Sequence, residues 1–162
     1  FIEIISKNGN MLLNVGPKGN GEIPKEDRKI LTEIGTWMER NEDAVYGSKP
    51  WRKASEGSVQ VSEGQFTDNE ELPYTKEDIR LTAKGDSIYA FVMCFSQDGQ
   101  VTIRSLAESE DQNVPEFHGL IEKVSVLGFD AEVTYNRDKN GLHVYAKGVD
   151  TKYPVVFKIQ VK

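Results

Sequence analysis

The hydrophobic pattern of the chain changes character near residue 47. Before that point Phe1–Ser6 reads as the last turn or two of a helix, with Lys7 near its C-terminus and Gly9 as the stop. Asn10–Val15, containing the run MLLNV, is almost continuously apolar, which predicts a strand buried on both faces, as in a parallel sheet. Gly16, Pro17, Gly19 and Gly21 predict a loop. Pro24 suits the first position of a helix, and Glu26 and Asp27 favour the positive end of its dipole. Ile30, Leu31, Ile34, Trp37 and Met38 then recur at helical spacing to about Arg40. Helix, buried strand, loop and amphipathic helix make one repeat of an α/β fold rather than a domain.

Beyond NEDAVYGSKPW the period shortens. Ile79–Ala83, Ser87–Phe95, Gln100–Ser105, Glu122–Leu127, Glu132–Tyr135, Leu142–Ala146 and Val155–Val161 are short β-rich runs. Lys84-Gly85-Asp86, Asp98-Gly99 and Asn140-Gly141 punctuate them as turns, and the first should join Ile79–Ala83 and Ser87–Phe95 in a hairpin. Such a series, with no further helix, predicts an antiparallel β-sandwich. The polar stretch Ser55–Tyr74 reads as a long loop or irregular edge. The expected division is 1–47 and 48–162.

Composition narrows the function classes. Hydrophobic content of 38% and charged content of 28% suit a globular chain. A net charge of -6 offers no basic face to neutralise phosphates, so no nucleic-acid partner is expected. The longest apolar run, Ile88–Phe95, is far short of the roughly 20 residues of a membrane span. The lone Cys94 rules out an internal disulfide and, within that apolar run, reads as core. The chain opens on Phe1 rather than Met, without a signal-peptide pattern, and reads as part of something larger.

No constellation of residues amounts to a self-contained active site. The glycine-rich loop lacks the Gly-Lys-Ser/Thr of a P-loop, and Pro24 occupies the last position of a Gly-x-Gly-x-x-Gly pattern. His118 and His143 have no second ligand at metal spacing, so neither metal nor cofactor is expected. Glu70-Glu71, Glu77-Asp78 and Glu108–Asp111 read as solvated loops, and Asp138-Lys139-Asn140-Gly141 lacks the ligand spacing of a calcium loop.

One resemblance is specific. FIEIISKNGNMLLNVGPKGNGEIP, followed by the helix and by Ala44-Val45-Tyr46-Gly47 and Trp51, is similar to the end of the catalytic barrel in α-L-fucosidases of glycoside hydrolase family 29. The departures from the family pattern are small: Met11 for Leu, Asn20 for Asp, Val45 for Ile. The likeness thins to EDIRLTAKGDSIYAFV, residues 77–92, and beyond that is only a generic sandwich.

The resemblance implies an α+β fragment: the last strand and helix of a (β/α) barrel over 1–47, then an antiparallel β-sandwich over 48–162. It implies a retaining fucosidase acting on fucosylated glycans through an Asp nucleophile and a separate acid/base, two carboxyl groups about 5 Å apart. In the family those residues precede this stretch, so the chain alone should be inactive. Asn14, near the end of the last barrel strand, is the candidate for contact with the sugar pocket; the alternative is an amide that satisfies the backbone of the Gly16–Gly21 loop. Leu12, Leu13 and Trp37 should be covered by the sandwich, by the remainder of the barrel or by a second copy. The family points to a periplasmic, secreted or lysosomal setting. Two other readings are a carbohydrate-binding module, with Trp51, Tyr74, Tyr89, Tyr135 or Tyr153 stacking on sugar rings, and a purely structural domain that buttresses the barrel. Tyr89 alternates with apolar neighbours and fits the core better.

Overall fold

Among the described residues, eight strands in two antiparallel sheets build the sandwich. A computed structural model of the chain describes residues 1–59, 73–111, 113 and 117–162. The larger sheet contains β1 (Lys49–Glu56), β2 (Ile79–Lys84), β3 (Ser87–Val92), β5 (Ile121–Val126) and β8 (Val155–Val161), in the order β1-β2-β3-β8-β5. The smaller holds β4 (Gln100–Ile103), β6 (Val133–Asp138) and β7 (Gly141–Ala146), in the order β4-β7-β6. Between them lies a core of alternate residues: Ile79, Leu81, Ile88, Ala90, Val155, Phe157 and Ile159 face Val101, Ile103, Leu142 and Val144. The expected hairpin is present. Lys84 pairs with Ser87 across Gly85 and Asp86, and Gly85 has the positive φ of 55° that such a turn favours.

Every residue of β3 is buried because the larger sheet is covered on both sides. Ile88, Ala90 and Val92 enter the core between the sheets, while Tyr89 and Phe91 join Ile2, Ala44 and Val156 in a second cluster on the opposite face. That face carries three helices: α1 (Ile2–Ser6), α2 (Lys25–Arg40) and α3 (Glu42–Val45). Helix α1 ends in a Schellman motif, with Asn8 N–H donating to Ile5 O (3.2 Å) and Gly9 N–H to Ile4 O (2.8 Å). The left-handed residue is Asn8, at φ 61°, rather than Gly9. Glycine is still required at 9, since a Cβ there would lie 2.9 Å from Ile4 Cγ2. Pro24 caps α2 from just outside the helix instead of opening it.

Several sequence expectations need correction. Asn10–Val15 forms no strand: a strand exists only as part of a hydrogen-bonded ladder, and no described strand runs beside it. β1 was not expected, because KPWRKASE is polar and contains Pro50. It is an edge strand whose register with β2 breaks between Pro50 and Ser55, the setting in which proline is tolerated. It also takes Ser55 and Glu56 out of the expected loop, most of which, with Glu70-Glu71, lies outside the described residues. β4 stops at Ile103, where a 3-10 turn (Arg104–Leu106) takes over. β3 stops at Val92, so Cys94 is exposed rather than core.

Candidate functional site

The first 45 residues meet the sandwich through polar anchors set into the second apolar cluster. Arg80 and Lys158 project from the helix-covered face of the larger sheet because they alternate with Ile79, Leu81, Phe157 and Ile159. Arg80, only 1% exposed, pairs with Glu3 of α1 and donates to the carbonyls of Glu56 (3.2 Å) and Val59 (3.0 Å). Tyr74 OH donates to the same Glu3 carboxylate at 3.3 Å. At the other anchor Asp43 accepts from Lys158 Nζ (2.6 Å), Tyr89 OH (2.9 Å) and Lys84 Nζ (3.2 Å). The Lys158 hydrogen bond, ahead of those from Tyr89 and Lys84, holds the Asp43 carboxyl down to about 2. From α2, Trp37 Nε1–H donates to Pro154 O at 2.8 Å with its ring against Phe91, and Tyr153 OH donates to Glu33 at 2.6 Å.

Much of this segment is nevertheless exposed. Helix α2 has no fully buried residue. Its stripe of Ile30, Ile34, Trp37 and Met38 lines a cavity of about 630 Å³, closed from the first residues by Met11 and Leu13 and from the sandwich by Met93 and Tyr153. Leu12 is 88% exposed and Leu13 49%. Asn14 sits on the same stretch, outside any helix or strand, exposed and with no hydrogen bond among the described residues. The loop that follows closes without it, through Lys18 N–H to Glu22 O (2.8 Å), Gly21 N–H to Lys18 O (2.8 Å) and Glu22 N–H to Asn20 Oδ1 (3.1 Å).

The remaining candidates serve the framework. Asp78 accepts from the Val59 and Thr75 amides and from the Thr75 hydroxyl, each at 2.8 Å. His143 contacts Asp138 and Thr102 at 3.0 Å, and Asp138 also accepts from Asn140 N–H (2.7 Å) to shape the β6–β7 turn. Among the described residues no cluster of His, Cys, Asp or Glu is arranged to hold a metal ion, and no helix is long and apolar enough to cross a membrane. Of the aromatic candidates, Tyr89 is core at 1% exposure and Tyr135 is open at 41%, its hydroxyl on Glu122 O. Trp51, Tyr74, Tyr89 and Tyr153 each have a basic side chain within 6 Å of the ring centroid: Arg52, Arg80, Lys158 and Lys152. Sequence reasoning missed Glu3, Arg80, Asp43 and Lys158; for Arg80 and Lys158 the visible signal was a charge flanked by apolar residues within a strand, and for Glu3 and Asp43, on helices, there was none.

Comparison with known proteins covers both parts of the chain. The family described as Alpha-L-fucosidase matches residues 1–43, and that described as Alpha-L-fucosidase C-terminal domain matches residues 69–160. The rat tissue alpha-L-fucosidase is 28% identical over 138 residues, 85% of this chain and 24% of the relative. An alpha-L-fucosidase of Dictyostelium discoideum is 43% identical over 52 residues, 32% of this chain and 11% of the relative. Among solved structures, the Thermotoga maritima alpha-fucosidase in complex with a mechanism-based inhibitor aligns with TM-score 0.69 at 22% identity, over 98% of this chain and 32% of that one. Alpha-L-fucosidase isoenzyme 1 from Paenibacillus thiaminolyticus aligns with TM-score 0.69 at 25% identity, over 99% and 32%. The chain thus spans about a quarter of the length of the rat relative.

Proposed function

The chain belongs to the α-L-fucosidase family, and from that premise we propose that it is the C-terminal portion of a retaining fucosidase that hydrolyses α-L-fucosides on glycans. Its catalytic carboxylates lie on barrel strands preceding this stretch. Residues 1–47 are the end of that barrel, and 48–162 are a sandwich that buttresses it. The observation that carries this reading is the asymmetry of the first segment. Part of it is pinned to the sandwich by Glu3, Asp43 and Trp37, while Leu12 and Leu13, on a stretch with no ladder partner, and Ile30 of α2 are exposed. A barrel strand stripped of its neighbours has these properties. Burying each of those side chains would contribute roughly 1.5–3 kcal/mol.

Carboxylates of the described residues support the same reading, because those set in the framework are committed there. Asp78 closes a loop, Asp43 and Glu3 anchor helices, and Glu56 caps the 3-10 turn. Asn14 stands free of its loop, so its amide is available to orient a substrate hydroxyl or a neighbouring catalytic side chain.

The test compares the purified chain with the same chain joined to a fucosidase barrel, using an aryl α-L-fucoside. The joined protein should turn over and the chain alone should not. Turnover by the chain alone, free of contaminating enzyme, would overturn the proposal. In the joined protein Asn14→Ala should lower kcat/KM while leaving the fold intact.

A further inference from the structure

Asparagine is followed by glycine at three places in the chain: Asn8-Gly9, Asn20-Gly21 and Asn140-Gly141. Glycine has no side chain to shield its backbone nitrogen, so in such a pair that nitrogen can attack the preceding Asn carboxamide. All three asparagines are exposed, and the sequence alone gives them equal standing. The structure separates them.

Two of the pairs are held away from reaction. Gly9 N–H donates to Ile4 O at 2.8 Å, and a Cβ on Gly9 would lie 2.9 Å from Ile4 Cγ2 and 3.2 Å from that oxygen, so helix α1 packs the approach to its nitrogen. Asn8 is itself fixed at φ 61° by the Schellman motif. Gly141 is buried in the β6–β7 ladder, in register with Asp138, and a Cβ there would lie 2.8 Å from Thr102 Cγ2 and 3.0 Å from Ile103 O. The Asn140 carboxamide turns back along the chain, its Nδ2 donating to Asp138 Oδ2 at 3.4 Å.

Asn20 is arranged the other way. Its Oδ1 accepts the Glu22 N–H at 3.1 Å, an Asx turn that folds the carboxamide over the Gly21 peptide and polarises its C=O. Nothing lies within 4 Å of the Cβ position of Gly21, and every residue from Lys18 to Gly21 is exposed. Gly21 N–H donates to Lys18 O at 2.8 Å, a bond in an exposed turn that opens at little cost. We propose that Asn20 deamidates spontaneously in the folded chain. The Gly21 nitrogen loses its proton and bonds to Asn20 Cγ; the Cγ–Nδ2 bond breaks, and ammonia leaves with that proton as a succinimide closes. Water then adds to one of the two imide carbonyls, and a proton returns to the ring nitrogen. Opening at Cγ gives aspartate, and opening at the main-chain carbonyl gives isoaspartate. Overall one water is consumed and one ammonia released. Aspartate keeps the bond from Glu22 N–H and makes it charge-assisted, which tightens the loop. Isoaspartate lengthens the backbone by a carbon and breaks the turn. The inference does not rest on the fucosidase reading.

The experiment is peptide mapping by mass spectrometry of the whole chain after storage at mildly alkaline pH, once native and once in guanidinium chloride. Trypsin cuts after Lys7, Lys18, Lys25, Lys139 and Lys147, which places the three pairs in separate peptides, 8–18, 19–25 and 140–147. A digest at zero time corrects for amide lost during proteolysis. Unfolded, the three pairs should convert at similar rates. In the native chain Asn8 and Asn140 should slow by at least about tenfold, because their hydrogen bonds and packing must first open, whereas Asn20 should keep most of its unfolded rate. Asn20 slowed as much as either of the other two, or either of them overtaking it, would overturn the proposal. The Asn20→Asp chain, made as a standard for the aspartyl product, should exchange the Glu22 amide severalfold more slowly than the unmodified chain. Unchanged or faster exchange would overturn the tightened loop.

Discussion

The two faces of the five-stranded sheet are held by different physics. Toward the three-stranded sheet the contact is aliphatic and aromatic, with Ile79, Leu81, Phe157 and Ile159 among residues that exclude water completely. Toward the helices the sheet presents Arg80 and Lys158, each matched to a carboxylate supplied 77 and 115 residues away along the chain. The first contact is non-directional and follows from alternation alone. The second depends on specific partners, so it fixes which segment docks and in what pose.

Damage to the first face should cost most. Phe157→Ala is expected to lower stability by about 3–5 kcal/mol in urea denaturation, because a fully buried ring leaves a cavity. A loss under about 1 kcal/mol would show that the inter-sheet core is not the main support. Arg80→Ala should follow at about 3 kcal/mol, since it strands the carbonyls of Glu56 and Val59 and leaves Glu3 without its guanidinium. Its signature is loss of amide protection in α1 before the strands. Trp37→Phe keeps the ring on Phe91 but removes the Pro154 hydrogen bond, an expected loss of about 1 kcal/mol by the same assay.

The pH dependence sharpens the contrast further. The folded Asp43 carboxyl sits at about 2, below its ordinary 3.8, so its contribution is complete above about 4 and lost as pH falls toward 2. Exchange at the Ala44 amide should rise in that window, and Asp43→Asn should abolish the step. Leu12→Ser should have the smallest effect in the chain alone, within about 0.5 kcal/mol. Joined to a barrel, the same substitution should become clearly destabilising; equal behaviour in both settings would refute the idea that this face is covered.

What could be read from the sequence divides along the same line. The β2–β3 hairpin was legible because Ile79, Leu81, Ile88 and Ala90 alternate around Gly85. The amphipathic α2 was legible from its period. β1 was not, since an edge strand paired on one side can hold Pro50 and four charged residues without penalty. Asn10–Val15 misled for the opposite reason: its composition suits a strand, but composition cannot supply the neighbouring backbone. Cys94 misled because the apolar run Ile88–Phe95 outlasts the ladder by three residues. For the candidate site, Asn14 could be placed only through resemblance, while the anchors Glu3–Arg80 and Asp43–Lys158 join residues that no local pattern relates.

The strand order also sets a timetable for synthesis. β3 and β5 lie in one sheet but never touch as a pair; β8, which follows both in the chain, forms the ladder to each. A ribosome releases β3 and β5 well before the strand that joins them. Until β8 emerges, Phe91 and Val124 belong to edges with open hydrogen-bonding groups, the state most prone to mispairing with another nascent chain. Stalling translation just ahead of Val155 should therefore leave a protease-sensitive, chaperone-bound chain, and release of the next few residues should close the sheet in one step.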